Sequence, residues 1–243
     1  MKTAIWVLSW LIYGNVCGQP AKQISAANEN IDTPYVYRSP SADGIGKFYM
    51  GREIARVMDA SGSDWLERPG RPKQENTELI IASMHLNRAS VVADIGAGTG
   101  FYTFRIASLV PEGKVFAVEI QDELIRFLNQ KKKETRAQHV EVIKGDTLRV
   151  NLPDSSVDLA ILVDVYHELS WPREVIRSIR NSLKQEGRIL LVEYRGEDPS
   201  VRIKPLHKTT IAQLSREMAS HGFVLERRVD VLPIQHFLVF KVN

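Results

Sequence analysis

One stretch of ten residues, 91–100, constrains the fold of this chain more than any other. Its first half, residues 91–95, is apolar apart from Asp94, which is the pattern of a strand buried inside a parallel sheet. Glycine then occupies every other position: Gly96, Gly98 and Gly100. An amphipathic segment follows at residues 101–109. Because glycine tolerates backbone conformations that a Cβ forbids, the stretch predicts a strand, a tight turn and a helix whose first N–H groups face a ligand.

The remaining chain contains further strand and helix patterns. Six more apolar runs are typical of strands, at residues 114–120, 140–144, 157–163, 188–193, 223–229 and 234–242. Helical patterns occupy residues 77–86, residues 121–135, a segment capped by Ser170 that ends before Gly187, and a segment capped by Thr210 that ends before Gly222. This alternation predicts an α/β fold, with a doubly wound, seven-stranded, mostly parallel sheet between helices. The last two runs have no helix-length segment between them, so we expect an antiparallel terminal hairpin.

The spacing of the glycine stretch is Asp-x-Gly-x-Gly-x-Gly, which differs from the Gly-x-Gly-x-x-Gly of dinucleotide-binding sites. It resembles the first motif of class I S-adenosylmethionine-dependent methyltransferases, whose acidic residue and glycines hold the methionine end of the cofactor. The resemblance covers residues 90–240 and lies in the small-molecule branch that includes the quinone-biosynthesis enzymes. It implies a Rossmann-like sheet whose last strand inserts antiparallel. It also implies S-adenosylmethionine as cofactor, with contacts from Asp94, Gly96, Ala97, Gly98 and Gly100.

Two further acids follow the next two strands, Glu119 after the second and Asp146 after the third. Ligands of open α/β sheets lie outside the carboxyl ends of the strands, so these acids join Asp94 at one edge. Glu119 can accept from both ribose hydroxyls of the cofactor, because a diol offers two donors in fixed geometry. We expect Ile120 to lie against the adenine, and Asp146 and Thr147 to contact its exocyclic amine.

The segment after the fourth strand carries the candidate catalytic residues, Asp164 and His167. Methyl transfer needs little acid–base chemistry, because the sulfonium is already a good leaving group and catalysis is mainly positioning. A base helps only where the acceptor carries a proton, and His167 is the best-placed titrating group, expected to titrate near a pKa of about 6.5 unless burial moves it. The alternative for His167 is a helix-start histidine bonded to backbone, whereas Asp164 is expected to line the methionine moiety or the acceptor.

Three further segments resemble a subgroup of secreted bacterial methyltransferases. We expect them to surround the methyl group of the cofactor: residues 48–71, 164–169 and 194–208.

The sequence does not predict a metal site. Cys17 is the only cysteine and lies in a predicted leader, so the mature chain has neither a disulfide nor a thiolate ligand. Asp164 and Glu193 are candidates to hold a divalent ion between strand ends, as in catechol-type methyltransferases. The Asp-Asn pair of those enzymes is replaced here by Glu193-Tyr194, which argues against such an ion.

We divide the chain into four regions: a signal peptide (1–18), a flexible arm (19–47), a helical cap (48–89) and a methyltransferase domain (90–243). Lys2, the apolar run at residues 4–13, and the small residues Val16 and Gly18 are typical of a secretory signal cleaved after Gly18. The run is short for a bilayer span. The prediction is therefore a periplasmic or secreted protein, and the alternative is a membrane anchor over residues 4–18.

The composition favours a small-molecule partner. With 25% charged residues and a net charge of +3, the chain has no large basic field that would predict nucleic-acid binding. No stable membrane span is expected after cleavage. Export conflicts with the cofactor, because S-adenosylmethionine is not obviously supplied outside the cytoplasm. A second hypothesis is therefore a non-catalytic extracytoplasmic protein that binds nucleosides or similar ligands, and a third, a nicotinamide oxidoreductase, is disfavoured by the glycine spacing.

The leader generates the first prediction. Protein purified from its native host should begin at or near Gln19, because signal peptidase removes the apolar segment. Intact-mass measurement tests this, and a mass that includes Met1 on a cytoplasmic protein would contradict it.

Overall fold

The structure, a computed structural model, describes residues 34–243. The predicted signal peptide, its cleavage site and residues 19–33 of the predicted arm lie outside the described residues. The described chain opens with three short strands and continues with three short helices: β1 (Tyr35–Tyr37), β2 (Gly44–Tyr49), β3 (Arg52–Ala55), α1 (Ser63–Leu66), α2 (Arg71–Glu75) and α3 (Thr77–Ala82).

The three strands correct what the sequence predicted before residue 60. Residues 34–47 were expected to belong to a flexible arm and residues 48–60 to a helical cap, yet β1, β2 and β3 pair as one antiparallel sheet. Their buried side chains form a small core of their own, which consists of Tyr35, Tyr49 and Ile54. Trp171 packs against this core. The helical part of the predicted cap therefore begins only after this N-terminal sheet.

The turn between β2 and β3 explains why the helix prediction was wrong. Met50 and Gly51 have φ angles of 48° and 92°, and a two-residue hairpin turn of type I′ needs positive φ at both positions. Asparagine or aspartate usually precedes the glycine of such a turn. Because methionine stands there instead, the sequence gives no clear signal of a hairpin. Ile54, Val57 and Met58 then mimic a helical spacing over one turn.

The remaining elements build a second, larger sheet with its helices. In chain order they are β4 (Val91–Ile95), α4 (Phe101–Ala107), β5 (Lys114–Glu119), α5 (Asp122–Glu134), β6 (Val140–Lys144), β7 (Val157–Val163), α6 (Pro172–Ser182), β8 (Leu183–Arg195), β9 (Lys208–Thr209), α7 (Ile211–Ala219), β10 (Phe223–Val229) and β11 (Gln235–Val242).

The topology of this sheet confirms the predicted fold class. Its strand order is β10-β11-β8-β7-β4-β5-β6, and the five strands from β8 to β6 are parallel. β11 lies between β8 and β10 and is antiparallel to both, as the resemblance implied. The two-residue strand β9, which the sequence did not predict, pairs with the end of β8 and makes the sheet eight-stranded.

Helices cover both faces of the sheet, and β7 shows why the strands are so apolar. Alternate residues of β7 enter different cores: Leu159 and Ile161 pack with Leu128 of α5, whereas Ala160 and Leu162 pack with helices α6 and α7. A strand buried on two faces needs apolar residues at consecutive positions. This pattern made the parallel strands readable from sequence.

Two helix starts can be compared with their predictions. Thr210 caps α7, since its hydroxyl accepts from the backbone N–H of Gln213 at 3.1 Å. Ser170 does not cap α6, because Trp171 holds that position and makes no side-chain cap bond. Pro172 occupies the first turn of α6 as expected.

A buried ion pair joins the N-terminal sheet to the larger one. Arg52 of β3 meets Glu217 of α7 through two bonds, Nε to Oε1 at 2.9 Å and Nη2 to Oε2 at 3.0 Å. The Tyr166 hydroxyl donates to the same carboxylate at 2.7 Å, and Arg52 Nη1 donates to the carbonyl oxygen of His167 at 3.2 Å. The pair therefore holds β3 against the segment that follows β7.

This pair generates a stability prediction. Glu217→Ala should lower the free energy of unfolding by about 3–5 kcal/mol, because Arg52 would be left buried without a counter-charge. Urea denaturation of the purified protein measures the loss.

Glu226→Ala is the matched control. Glu226 pairs with Arg188 on the open side of the β10 edge, where the two side chains are 26% and 37% exposed. An exposed pair contributes about 0–1 kcal/mol. Equal losses in the two variants would contradict a special role for the buried pair.

Candidate active site

A cavity of about 700 Å³ opens at the carboxyl ends of β4 to β8. Eight of the residues predicted from sequence line it: Gly96, Gly98, Glu119, Ile120, Asp146, Thr147, Asp164 and His167. The other three predicted residues are not part of the cavity wall that residues 34–243 form: Asp94, Ala97 and Gly100. The three segments expected to surround a methyl group all contribute to its wall, since Met58, Leu169 and Lys204 line it.

The glycine turn takes its shape from backbone conformations that need glycine. Gly96, Gly98 and Gly100 have φ angles of 69°, 56° and 75°. The N–H groups of Gly96 and Ala97 both donate to the carbonyl oxygen of Val118, at 2.9 and 3.0 Å, which fastens the turn to β5. A Cβ on Gly98 would lie 2.7 Å from the side chain of Leu66. The turn therefore packs directly beneath α1.

Glu119 is the centre of this wall. Its Oε2 accepts from the N–H of Gly98 at 2.9 Å, and its Oε1 accepts from those of Ile120 and Gln121 at 2.7 and 3.0 Å. A carboxylate offers about four acceptor sites. Glu119 can thus hold the glycine turn to the end of β5 and still accept from a ligand.

The next strand ends supply an apolar surface beside an acid. Ile120 lines the cavity and is 39% exposed, next to the cavity-lining side chains of Leu124 and Val150. Asp146 uses Oδ1 to accept from two backbone N–H groups of its own turn, those of Leu148 and Arg149, at 2.7 and 2.8 Å. This arrangement fits a flat, partly polar ring.

Asp94 lies near the end of β4, as predicted, but it does not line the cavity. It is buried, and the Thr103 hydroxyl of α4 donates to its Oδ2 at 2.6 Å. Burial raises the pKa of Asp94 to about 6. Its visible role is to connect β4 to α4, and a contact with the cofactor stays a prediction.

Asp164 lines the cavity in an uncommon backbone conformation, with a φ of 54°. Both of its carboxylate oxygens lie within hydrogen-bond distance of Gln235 Nε2, at 2.9 and 2.8 Å. Burial, and then the charges of Glu75 and Glu193, raise the pKa of Asp164 to about 8. This environment therefore favours the neutral form of Asp164 unless a cation lies beside it.

A charged cluster near Asp164 was not predicted from the sequence. Glu75 accepts from Arg68 Nη2 at 2.6 Å, from Arg71 Nε at 2.9 Å and from the Tyr194 hydroxyl at 3.1 Å. All four residues line the cavity. The spacing of Arg71 and Glu75 is visible in the sequence, but an i, i+4 pair usually marks an exposed helix face.

His167 lies in a 3₁₀ turn, Tyr166–Glu168, directly after β7. Its Nδ1 is 2.5 Å from Glu193 Oε2, and its Nε2 is 3.0 Å from Nδ1 of His207. Burial lowers the pKa of His167, but the charges of Glu193 and Glu168 outweigh that effect and raise it to about 10. The expected titration near pH 6.5 does not hold in this environment, and a role as base stays a prediction.

Glu193 of β8 holds the turn that carries His167. Its Oε1 accepts from the backbone N–H of Tyr166 at 2.8 Å and of Val165 at 3.2 Å, while Oε2 faces His167. Asp164 and Glu193 thus have separate hydrogen-bond partners, Gln235 for Asp164 and the turn after β7 for Glu193. No helix in residues 34–243 has the length and apolar character that a membrane crossing requires.

The solved structures and the curated proteins that this chain resembles include methyltransferases. A solved S-adenosylmethionine-dependent methyltransferase from Aquifex aeolicus superposes with a TM-score of 0.72 at 23% identity, over 77% of this chain and 100% of that one. An uncharacterized methyltransferase of Bacillus subtilis, YcgJ, is 29% identical over 51% of this chain and 49% of its own length. A fibrillarin-like rRNA/tRNA 2′-O-methyltransferase of Methanosarcina barkeri is 26% identical over 77% of this chain and 82% of its own length.

The chain spans about half the length of the first curated relatives that it matches, 49% in the case of YcgJ. The family model described as a methyltransferase domain matches residues 86–229, which is more than half of the chain and includes every strand from β4 to β10. This chain therefore belongs to the methyltransferase-domain family.

Proposed function

We propose that this protein transfers a methyl group from S-adenosylmethionine to a small-molecule acceptor. The observation that carries the proposal is the single cavity that the glycine turn, Glu119, Asp146 and the His167 turn share. Ligand-binding groups from four strand ends meet there, at the edge where open α/β sheets bind ligands.

The cavity wall fits the parts of this cofactor. Glu119 is suited to the ribose hydroxyls, Ile120 to a face of the adenine, and Asp146 with Thr147 to its exocyclic amine. When bound, S-adenosylmethionine supplies a methyl group on a sulfonium that is already a good leaving group. The main task of this chain is then to hold donor and acceptor in line.

The charged cluster suits the methionine end, which carries an ammonium and a carboxylate. Arg71 and Arg68 can pair with a carboxylate, and Asp164 and Glu75 with an ammonium. The left-handed conformation of Asp164 supports a functional role, because strained residues cluster at binding and catalytic sites.

The rest of the cavity supports a small acceptor. Met58, Trp65, Leu169 and Ile203 line it from segments on both sides of the sheet edge. Enclosed, largely apolar pockets with a few polar groups are typical of small-molecule sites. An RNA acceptor, as the name of the Methanosarcina relative states for that protein, requires an open and basic surface.

Family membership favours an enzyme over the non-catalytic nucleoside-binding protein. The proposal includes export, which the sequence of residues 1–18 supports, and hence a supply of cofactor outside the cytoplasm. A methyl-donor consumption assay with host extract separates the enzyme from a binding protein. Calorimetry with S-adenosylhomocysteine and with NAD separates both from an oxidoreductase.

Glu119 gives the sharpest test of cofactor binding. Glu119→Gln should weaken S-adenosylhomocysteine binding about tenfold or more, because a hydrogen bond to a charged group contributes about 1.5–3 kcal/mol. Isothermal titration calorimetry measures the change. Thermal unfolding of the free variants separates lost ligand contacts from a loosened glycine turn.

Asp122→Asn is the control, three residues further along. Asp122 is an exposed acid that pairs with Lys144 at 2.6 Å in solvent. Its variant should bind as the unaltered protein does. An unchanged affinity in folded Glu119→Gln would mean that the ribose site lies elsewhere.

A further inference from the structure

Three side chains that commonly bind metals converge at the acceptor end of the cavity. His167 Nε2, His207 Nδ1 and Glu168 Oε1 all belong to cavity-lining residues and lie within 4.8 Å of one another. The two nitrogens are 3.0 Å apart, and Glu168 Oε1 is 3.3 Å from His207 Nδ1 and 3.8 Å from His167 Nε2.

Two of these three separations match the spacing of ligands around one ion, and the third, 3.8 Å, is slightly longer. Histidine nitrogens and carboxylate oxygens bind Zn²⁺ at about 2.0–2.2 Å, which places neighbouring ligand atoms about 3–3.5 Å apart. Small side-chain rotations are sufficient to bring the three atoms to those distances.

The outer nitrogen of each histidine faces a carboxylate. His167 Nδ1 lies 2.5 Å from Glu193 Oε2, and His207 Nε2 lies 2.8 Å from Asp43 Oδ2. The second approach is an ion-pair distance whose direction does not satisfy a hydrogen bond, so both atoms are buried without a partner. A carboxylate on the outer nitrogen is the usual companion of a metal-binding histidine, because it fixes the tautomer and ring orientation.

The 3.0 Å contact between the two rings is either a hydrogen bond or a pair of facing nitrogen lone pairs, depending on which nitrogens carry protons. If each outer nitrogen keeps its proton for the neighbouring carboxylate, His167 Nε2 and His207 Nδ1 both become acceptors. Two acceptors at 3.0 Å need a positive species between them, either a proton or a metal cation. Glu168 beside them and Glu193 behind His167 contribute negative charge, which favours a cation of higher charge. Asp43, behind His207, shares its charge with Lys204 at 2.8 Å.

The fold holds the ligands in place from several elements. Glu193 and the buried Arg52 fix the turn that carries His167 and Glu168. His207 ends a second 3₁₀ turn, Pro205–His207, which leads directly into β9 and its pairing with β8.

We propose that His167, Glu168 and His207 bind one divalent transition-metal ion of the zinc type at the acceptor end of the cavity. Two imidazoles with one carboxylate suit Zn²⁺ or Fe²⁺ and disfavour Mg²⁺ and Ca²⁺, which prefer oxygen ligands. Three protein ligands leave coordination positions for water or for an acceptor with an oxygen or nitrogen donor. Binding of an acceptor at the metal rests on the proposed methyl transfer, whereas binding of the metal itself does not.

The full-length protein, stripped with chelator and dialysed, provides the test. Calorimetric titration with Zn²⁺ should give one site per chain, and Co²⁺ should produce visible absorption bands that Zn²⁺ abolishes. His207→Ala and Glu168→Gln should each lose that site. Asp43→Asn should weaken it about 10–100-fold, since it removes only the partner of a ligand.

His236→Ala is the matched control, because His236 also pairs with a carboxylate, Glu197 at 2.8 Å, but lies outside the cavity lining. It should retain the site with unchanged affinity. Thermal unfolding of each variant establishes that it is folded before titration.

Absence of stoichiometric Zn²⁺ binding in the unaltered protein would overturn the proposal and leave a shared proton between the two histidines. Unchanged binding in folded His207→Ala and Glu168→Gln would also overturn it, by placing the metal elsewhere. Titration with S-adenosylhomocysteine is read separately, so failure of the metal site and failure of the proposed methyl transfer are distinguishable.

Discussion

A closed network of buried charges ties the N-terminal sheet to the edge where the cavity lies. Glu193 holds the backbone of Tyr166 and the ring of His167; Tyr166 donates to Glu217; Glu217 pairs with Arg52; and Arg52 returns to the carbonyl of His167. Burying such charges is expensive unless each is paired. Here every member has a partner on a different element, so the network specifies one position for the turn after β7.

The same edge concentrates negative charge because each parallel strand ends there. Acids stand at or next to the ends of all five parallel strands: Asp94, Glu119, Asp146, Asp164 and Glu193. Burial and repulsion between neighbouring acids raise the pKa values of Asp94 and Asp164. The buried carboxylate of Glu119 is stabilised by hydrogen bonds that it accepts from three backbone N–H groups. The edge is therefore suited to a ligand that brings hydroxyls, amines or positive charge.

The sequence was sufficient for those parts of the fold that depend on local pattern. Consecutive apolar residues revealed β7, and alternate glycines revealed the turn after β4, because burial on two faces and positive φ each restrict residue choice directly. The strand-end acids followed from topology alone. The contact between Asp94 and Thr103 was not predicted, because a strand end does not indicate which side chain turns inward.

Features that depend on distant contacts were out of reach of local pattern. The Met50–Gly51 turn lacks the usual residue pair, and the N-terminal strands have too few residues for a clear period. His207 lies 40 residues beyond His167 and reaches it only because β9 adds to the end of β8. Glu75 likewise meets Tyr194 across 119 residues. Such juxtapositions arise from tertiary packing, which no spacing along the chain encodes.

The cavity wall comes from two parts of the chain. The family model begins at residue 86, whereas Asp43, Met58, Trp65 and Arg71 precede it and still line the cavity. The parallel sheet therefore supplies the strand-end groups of the cavity, and the preceding segment supplies a further part of its wall. Exchanging the preceding segment would therefore change the cavity wall, and it would also remove Arg52, which holds the turn that carries His167.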